Sequence, residues 1–496
     1  MRKYKHITQE MMKYLFVGYV ILILLGCSKN ELEPVPLLFE GTGKPGCNNP
    51  LSSNFDPEAE VNDGSCEPTD CSMCDFFISA TDFGFDAEEL GVEPGDIICL
   101  DASLTYERPI ELRNVRGSAA SPVIVVNCGG KAVVEMPGRT YVMKTVNSQF
   151  FRITGTGDSD ELYGISLSGA KNLGLQMDYL SSNFEIDHIE VFNVGFAGIM
   201  AKTDPTCDDA TIRGNFTMRD ISFHHNYVHN TGGEGLYIGN SFYANGRNLS
   251  CGMRLPHDIE NLDVYNNRVE DTGWEAIQVG AAISGARVFD NRVLNYGLEN
   301  KGAQNNGIQI GEGSGGLCYN NVVINGPGTG IIVLGYGDNV VFNNVIVNPG
   351  KNGIFCDTRF SPGSGFSFIH NTIINPGSDG ININAGDLEL NRILNNLIVN
   401  PGNYQVYEND PSSRTGVDSY VNAANPNVDI NGNYFTLDIS QVGFSNIDAN
   451  DFSLTPGAAV VDQGISDIPD GIDFDLLNNK RPNGSGYDIG AFELNQ

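Results

Sequence analysis

The chain has 496 residues, 59 of them glycine and only one tryptophan, and its formal net charge is −32. That charge excludes nucleic acid and anionic lipid surfaces as principal partners, because no basic stripe offsets it. A length that would ordinarily divide into several domains fits instead a solenoid, which grows without widening its core.

At the amino terminus Arg2, Lys3, Lys5 and Lys13 precede an apolar run from Leu15 to Leu25, too short for a comfortable membrane span. The run ends in Leu24-Leu25-Gly26-Cys27. Basic flank, apolar core and a small residue before Cys resemble the bacterial lipoprotein signal. The resemblance implies removal of residues 1–26, diacylation of Cys27 and a tether over residues 27–40; an ordinary signal peptide or a single anchor helix is the alternative. The next residues, Ser28-Lys29-Asn30-Glu31-Leu32-Glu33, loosely resemble the acidic tags of Bacteroidetes surface lipoproteins. The implied address is the outer membrane or cell surface, with membrane contact only through the lipid. Cleavage would remove four basic side chains and Glu10, moving the formal charge from −32 to −35. Such a body suits neutral glycans, cations or calcium-bridged polymers, although acidity also serves solubility alone.

Residues 41–75 form a Cys-bounded linker. Ten cysteines remain beside Cys27, an even number suited to an oxidising compartment. From Gly46 to Cys66 the chain resembles a small module of Bacteroidetes surface proteins, with Asn49, Ser52, Phe55 and Asn62 departing from its usual form. The resemblance implies a Cys47–Cys66 disulfide. Asp56 and Asp63 offer hard oxygen ligands for calcium, against the simpler reading of a disulfide-stapled spacer. Cys71-Ser-Met-Cys74 follows and reads as a local disulfide rather than a redox centre.

Residues 76–435 carry the repeat. A small residue before Ile or Leu recurs at Ile199, Leu236, Ile277, Ile308, Ile331, Ile354 and Ile381, in steps of 37, 41, 31, 23, 23 and 27 residues. The shortest step holds three short strands and their turns, which predicts an all-β parallel β-helix. Strings such as Val264-Tyr-Asn-Asn-Arg-Val and Val341-Phe-Asn-Asn-Val-Ile place Asn where a corner needs the left-handed conformation. Stacked Asn side chains would then bond along the axis, structurally rather than as a binding row. The stretches Leu90-Gly-Val-Glu-Pro-Gly-Asp-Ile-Ile-Cys-Leu and Pro122-Val-Ile-Val-Val are similar to the opening coils of pectate-lyase-like proteins. Residues 436–496, with Asp451-Phe-Ser-Leu-Thr-Pro-Gly and Asp488-Ile-Gly-Ala-Phe-Glu, resemble the closing coils and cap of such helices. The resemblance of these opening and closing stretches implies the right-handed parallel β-helix and leaves the chemistry open, because one solenoid hosts many functions.

Alternation then assigns the site. Residues after each anchor point outward: Met200, Tyr237, Gln278, Gln309, Ile332, Phe355 and Asn382. Residues two before each anchor form a corner row: Ala197, Glu234, Glu275, Asn306, Thr329, Asn352 and Asp379. Glu234 and Glu275 become neighbouring carboxylates, with Trp274, Tyr237, Gln278, Asn306 and Gln309 beside them for substrate. Three insertions surround the pair: Thr203 to about Phe216, Asn240 to about His257, and Gly297 to Asn305. A Cys207–Cys251 disulfide would pin the first two over the acidic pair. Paired carboxylates suit a retaining glycosidase; with calcium and Lys202 as base they suit a uronate lyase. A solvated pair with no role is the plain alternative.

No polygalacturonase set, phosphate loop, nucleophile elbow or zinc spacing is present. Phe184-Glu-Ile-Asp-His-Ile-Glu is similar to the Trp-Ile-Asp-His of pectate lyases but lacks the Trp and any nearby basic catalytic partner. His224 and His225 alternate to opposite faces and, with His229, read as turn and strand residues. The expectation is a monomeric surface lipoprotein that binds polysaccharide or cell-surface glycan, calcium being the one candidate cofactor. A lyase or glycosidase acting in the same groove is the runner-up.

Overall fold

One coil shows how the chain is built. Asp258–Tyr265, Arg268–Thr272 and Ile277–Val279 are three strands on three successive faces, and Ala282–Phe289 begins the next turn. Each strand pairs in parallel with its equivalent one coil away, giving sheets of 13, 11 and 11 strands. We call them sheets one, two and three in the order the chain meets them. A computed structural model describes residues 43–357, 363–385, 388–403 and 428–495. The leader, Cys27 and the tether lie outside the described residues.

Ile199, Leu236, Ile277, Ile308, Ile331, Ile354 and Ile381 all point inward and join one apolar core that runs the length of the solenoid. The corner between sheets one and two is a two-residue turn in most coils. Its first residue is left-handed, as at Asn266, Asn320 and Asn343, with φ of 51–53°. Asn pays less than other non-glycine residues for that conformation. Its second residue is a buried Asn whose amide donates to the Oδ1 of the next coil, at 2.9–3.0 Å, through Asn226, Asn267, Asn291, Asn321, Asn344, Asn371 and Asn396, the last donating to half-buried Asn433. The expected axial ladder is therefore present. Asn291 also donates to Val264 and Phe289 carbonyls, so the ladder satisfies backbone acceptors as well as its own members.

The amino-terminal linker is no free spacer. Cys47–Cys66 closes the module as expected, but Cys71 pairs with Cys128 and Cys74 with Cys99. The predicted Cys71–Cys74 bridge is thus wrong. A 3-10 turn over Cys71–Met73 aims both thiols at neighbouring strands of sheet one, where Cys99 and Cys128 lie. Leu51 packs on the same patch, and Asn49 donates to the Gly157 carbonyl. Cys318 and Cys356 are buried thiols. In the module Asp56 is paired with Lys44 at 3.1 Å, and Asp63 accepts from the Ser65 amide. Neither joins a set of three metal-ligating side chains among the described residues, and a lysine already supplies the cation at Asp56. The calcium reading of Asp56 and Asp63 does not fit.

The final segment closes the molecule from the side. Phe452, Leu454, Val460 and Phe492 cover Val322, Ile324, Val345 and Val347 on the outer face of sheet two. Ile472 covers Phe342, Ile369 and Leu394 of sheet one. A buried Arg481–Glu493 ion pair at 2.9 Å fixes this wrap.

Replacing Asn291 with Ala should lower the unfolding free energy by roughly 1–3 kcal/mol, the cost of orphaning buried backbone acceptors. Urea unfolding of the two proteins measures the difference.

Candidate functional site

Sheet three carries the outward row in the predicted register. Met200, Tyr237, Gln278, Gln309, Ile332, Phe355 and Asn382 are successive partners. The corner row stacks beside it, the Gly235 amide donating to the Glu275 carbonyl and the Ala276 amide to that of Asn306. Glu234 and Glu275 therefore stand on adjacent rungs of one wall. Their exposure differs from expectation. Glu234 is 2% and Glu275 0% exposed, so the pair is not a solvated one.

Burial sets their chemistry. It pushes the Glu234 carboxyl up to about 7, with Lys202 and Lys301 pulling the other way. Burial pushes Glu275 up to about 8, and the Glu234 charge adds to the rise. The Asn306 amide reaches Glu275 Oε1 at 3.4 Å. The Oε2 atoms of both carboxyls, Gln278 Nε2 and Asn305 Oδ1 are buried without hydrogen-bond partners. Buried polar atoms are nearly always paired, which makes this concentration notable.

The walls come from the three insertions, with a correction to their roles. Cys207–Cys251 does bridge the first two flaps, and Arg254 adds an ion pair to Asp209 at 2.7 Å. These flaps stand over the corner between sheets three and one, where Arg213 stacks on Tyr243 and Tyr243 bonds Asp258 and Tyr336. The Gly297–Asn305 loop is the one on the carboxylate side. Its Lys301 sits 3.3 Å above the Trp274 ring, which packs edge-on against Phe196. Between the walls a cavity of about 420 Å³ opens, lined by Gln278, Gln304, Asn306, Gln309, Asn352 and Phe355. Lys301, Asn305 and Gln304 were missed as site residues, although the third insertion already marked them.

Lys202 lies over the Tyr237 ring and pairs with Asp204 at 2.9 Å. Burial pulls its ammonium down, but Tyr237, Asp204 and Glu234 outweigh that, and the net shift is upward. A lysine held protonated is a poor general base. Calcium does not fit here either. Glu234 and Glu275 join no set of three metal-ligating side chains among the described residues, and Lys202 and Lys301 already supply positive charge beside them.

Residues 257–435 match the family described as the right handed beta helix region. No curated protein matches the chain. Among solved structures the chain is similar to pectate lyase Pel9A, at 15% identity over 82% of this chain and 90% of that one, with a TM-score of 0.44. It is similar to an alginate lyase from Paenibacillus, at 14% identity over 73% and 98%, TM-score 0.34. It is also similar to a PL6 family polysaccharide lyase from Pseudopedobacter saltans, at 13% identity over 78% and 97%, TM-score 0.36. At these identities the likeness is one of fold and assigns no chemistry.

Both glutamates have folded pKa values above the unfolded range, so the folded state holds more protons and stability falls as pH rises through the shifted values. Thermal stability should decline between about pH 5 and pH 8, and Glu275→Gln should flatten that decline. An unchanged slope in the variant would show that the carboxyl meets water.

Proposed function

We propose that the groove on sheet three binds a polysaccharide, in a surface lipoprotein tethered through Cys27. One observation carries the reading: buried polar atoms of Gln278 and Asn305 lack protein partners at the lining of a walled cavity, and the lining residue Asn306 leads to the buried carboxyls of Glu275 and Glu234, each with an unpartnered Oε2. Protonated carboxyls and amides of this kind donate to and accept from sugar hydroxyls. The Trp274, Phe196 and Tyr237 rings pack together beside the carboxyl row. Lys202 and Lys301 add positive charge to a strongly acidic chain, which suits a uronate carboxylate at this groove. Among the described residues no helix is long and apolar enough to cross a membrane, and attachment in this reading rests on the lipid.

A second reading has its own support. Carboxyls raised to about 7 and about 8 on adjacent rungs hold protons where a general acid needs them. A glycosidase could use such a pair, with Glu275 as acid and the more easily ionised Glu234 as nucleophile.

The lone Trp274 makes the test direct. Uronate-rich and neutral polysaccharides are titrated while tryptophan emission is followed, and released 4,5-unsaturated products and reducing ends are assayed in parallel. Binding without product is expected, with affinity falling tenfold or more in Gln309→Ala. Product that vanishes in Glu234→Gln and Glu275→Gln would establish the enzyme instead. Silence in both assays sinks both readings. For the anchor, Cys27→Ser should move the protein from the membrane fraction to the soluble one, as read by fractionation of expressing cells.

A further inference from the structure

A larger cavity, of about 620 Å³, lies away from that groove at the corner between sheets one and two. Small-ligand sites span about 300–1,000 Å³. Three unrelated parts of the chain build it. The docked module supplies Asn48, Glu60 and Asn62, and the Glu60 carboxylate accepts from Tyr265, 205 residues away. An inserted loop supplies Asp158, Asp160 and Tyr163. That loop spans the ten residues between strands Gln149–Thr154 and Ile165–Ser168, where the next two coils use one and two. Insertions in a repeat often mark the binding face.

The repeat itself supplies the internal comparison. The left-handed corner residue is Asn at Asn320 and Asn343, away from this cavity; the cavity is lined at that position by Asp290 and Asn266 and, in the coils before them, by His188 and His225, at φ 54° and 53°. Their rings stack in parallel at 5.1 Å. The row before the corner is aromatic in later coils, where Tyr265, Phe289, Tyr319 and Phe342 stack face to face. At the cavity the same row holds Thr154, Asp187 and His224. Arg152 grips buried Asp187 with two bonds of 2.7 and 3.0 Å, and Thr154 adds a third at 2.6 Å. A buried ion pair is a costly substitute for packed aromatic rings, and local rule-breaking of this kind concentrates at functional sites.

Two expectations from the sequence bear on this site, and the second is corrected. Asp187 does have a basic partner, Arg152, 35 residues upstream. His224 and His225 do not face apart: their Nδ1 atoms lie 2.9 Å from each other because His225 is left-handed. Glu185, Asp187 and His224 are close enough to suggest a metal, yet the Arg152 guanidinium already occupies the cation position, 3.0 Å from Glu185.

The ligand chemistry follows from His188. Its Nδ1 meets Asp187 at 2.7 Å, so that nitrogen donates to the carboxylate and Nε2 is the one left for the cavity. The side chain is 7% exposed, lines the cavity, and its Nε2 has no partner among the described residues. Beside it Tyr227 stacks on His229 and carries Arg268 over its other face, while Arg268 is bound bidentately by Glu270. The floor charges are thus spent within the protein, and the rim of Glu60, Asp158 and Asp160 repels anions.

We infer that this corner cavity is a second carbohydrate site, separate from the groove, that takes a short uncharged oligosaccharide. His188 Nε2 hydrogen-bonds one sugar hydroxyl, the rim carboxylates accept from others, and Tyr163 supplies an apolar ring edge. Calorimetric titration of the full chain with cellotetraose, xylotetraose, mannotetraose and maltotetraose, against trigalacturonate, tests it. At least one neutral sugar should bind without changing Trp274 emission. Affinity should fall tenfold or more in Tyr163→Ala and in His188→Asn/His225→Asn, which installs the Asn that this corner uses in other coils. Gln309→Ala should leave it unchanged. The site is overturned if no neutral sugar binds, if binding survives both cavity variants, or if trigalacturonate competes equally there.

Discussion

Every feature of this protein depends on one constraint: each coil must hydrogen-bond to the next in the same register. The buried asparagines enforce it from the side, because each amide bridges two coils while accepting from a third group. A slip of one residue would break the ladder and turn the core row outward together. Position along the chain therefore becomes height along an axis, and position within a coil becomes a direction. Residues far apart in sequence share a wall only because of that mapping.

The mapping explains what was legible in the sequence. The anchors from Ile199 to Ile381 share one face, so spacing alone placed Gln278 beside Gln309 and Glu234 beside Glu275. Asn-Asn pairs announced the corner, because few other residues tolerate its left-handed turn. What spacing could not provide was depth. Glu234 and Glu275 occupy a row that alternation turns toward water, yet that row is buried along much of the solenoid, at Thr329 and Asp379 as well. Insertions break the period, so their paths are not written in it. The Cys207–Cys251 bridge was readable, yet the side on which the flaps stand was not.

Cysteine pairing failed for a related reason. Cys71 and Cys74 are neighbours in the chain, and closeness in sequence suggested a local bridge. Both instead face a sheet that brings Cys99 and Cys128 to one patch. The histidines tell the same story in reverse. Alternation is a rule for extended backbone, and His188 and His225 lie at residues that leave it. Reading the corner first would have put their rings on one side.

The two outer sulfur bridges have a mechanical consequence. A pull on the start of the chain does not reach the first coil through its hydrogen bonds alone. Tension entering at residue 43 passes through Cys71 and Cys74 into two adjacent strands of sheet one. The opening rungs then share the load in shear and cannot peel away singly while the sulfurs stay joined. A rod fastened at its foot in this way resists flow and tugging by the strength of covalent bonds, and reduction would release that grip.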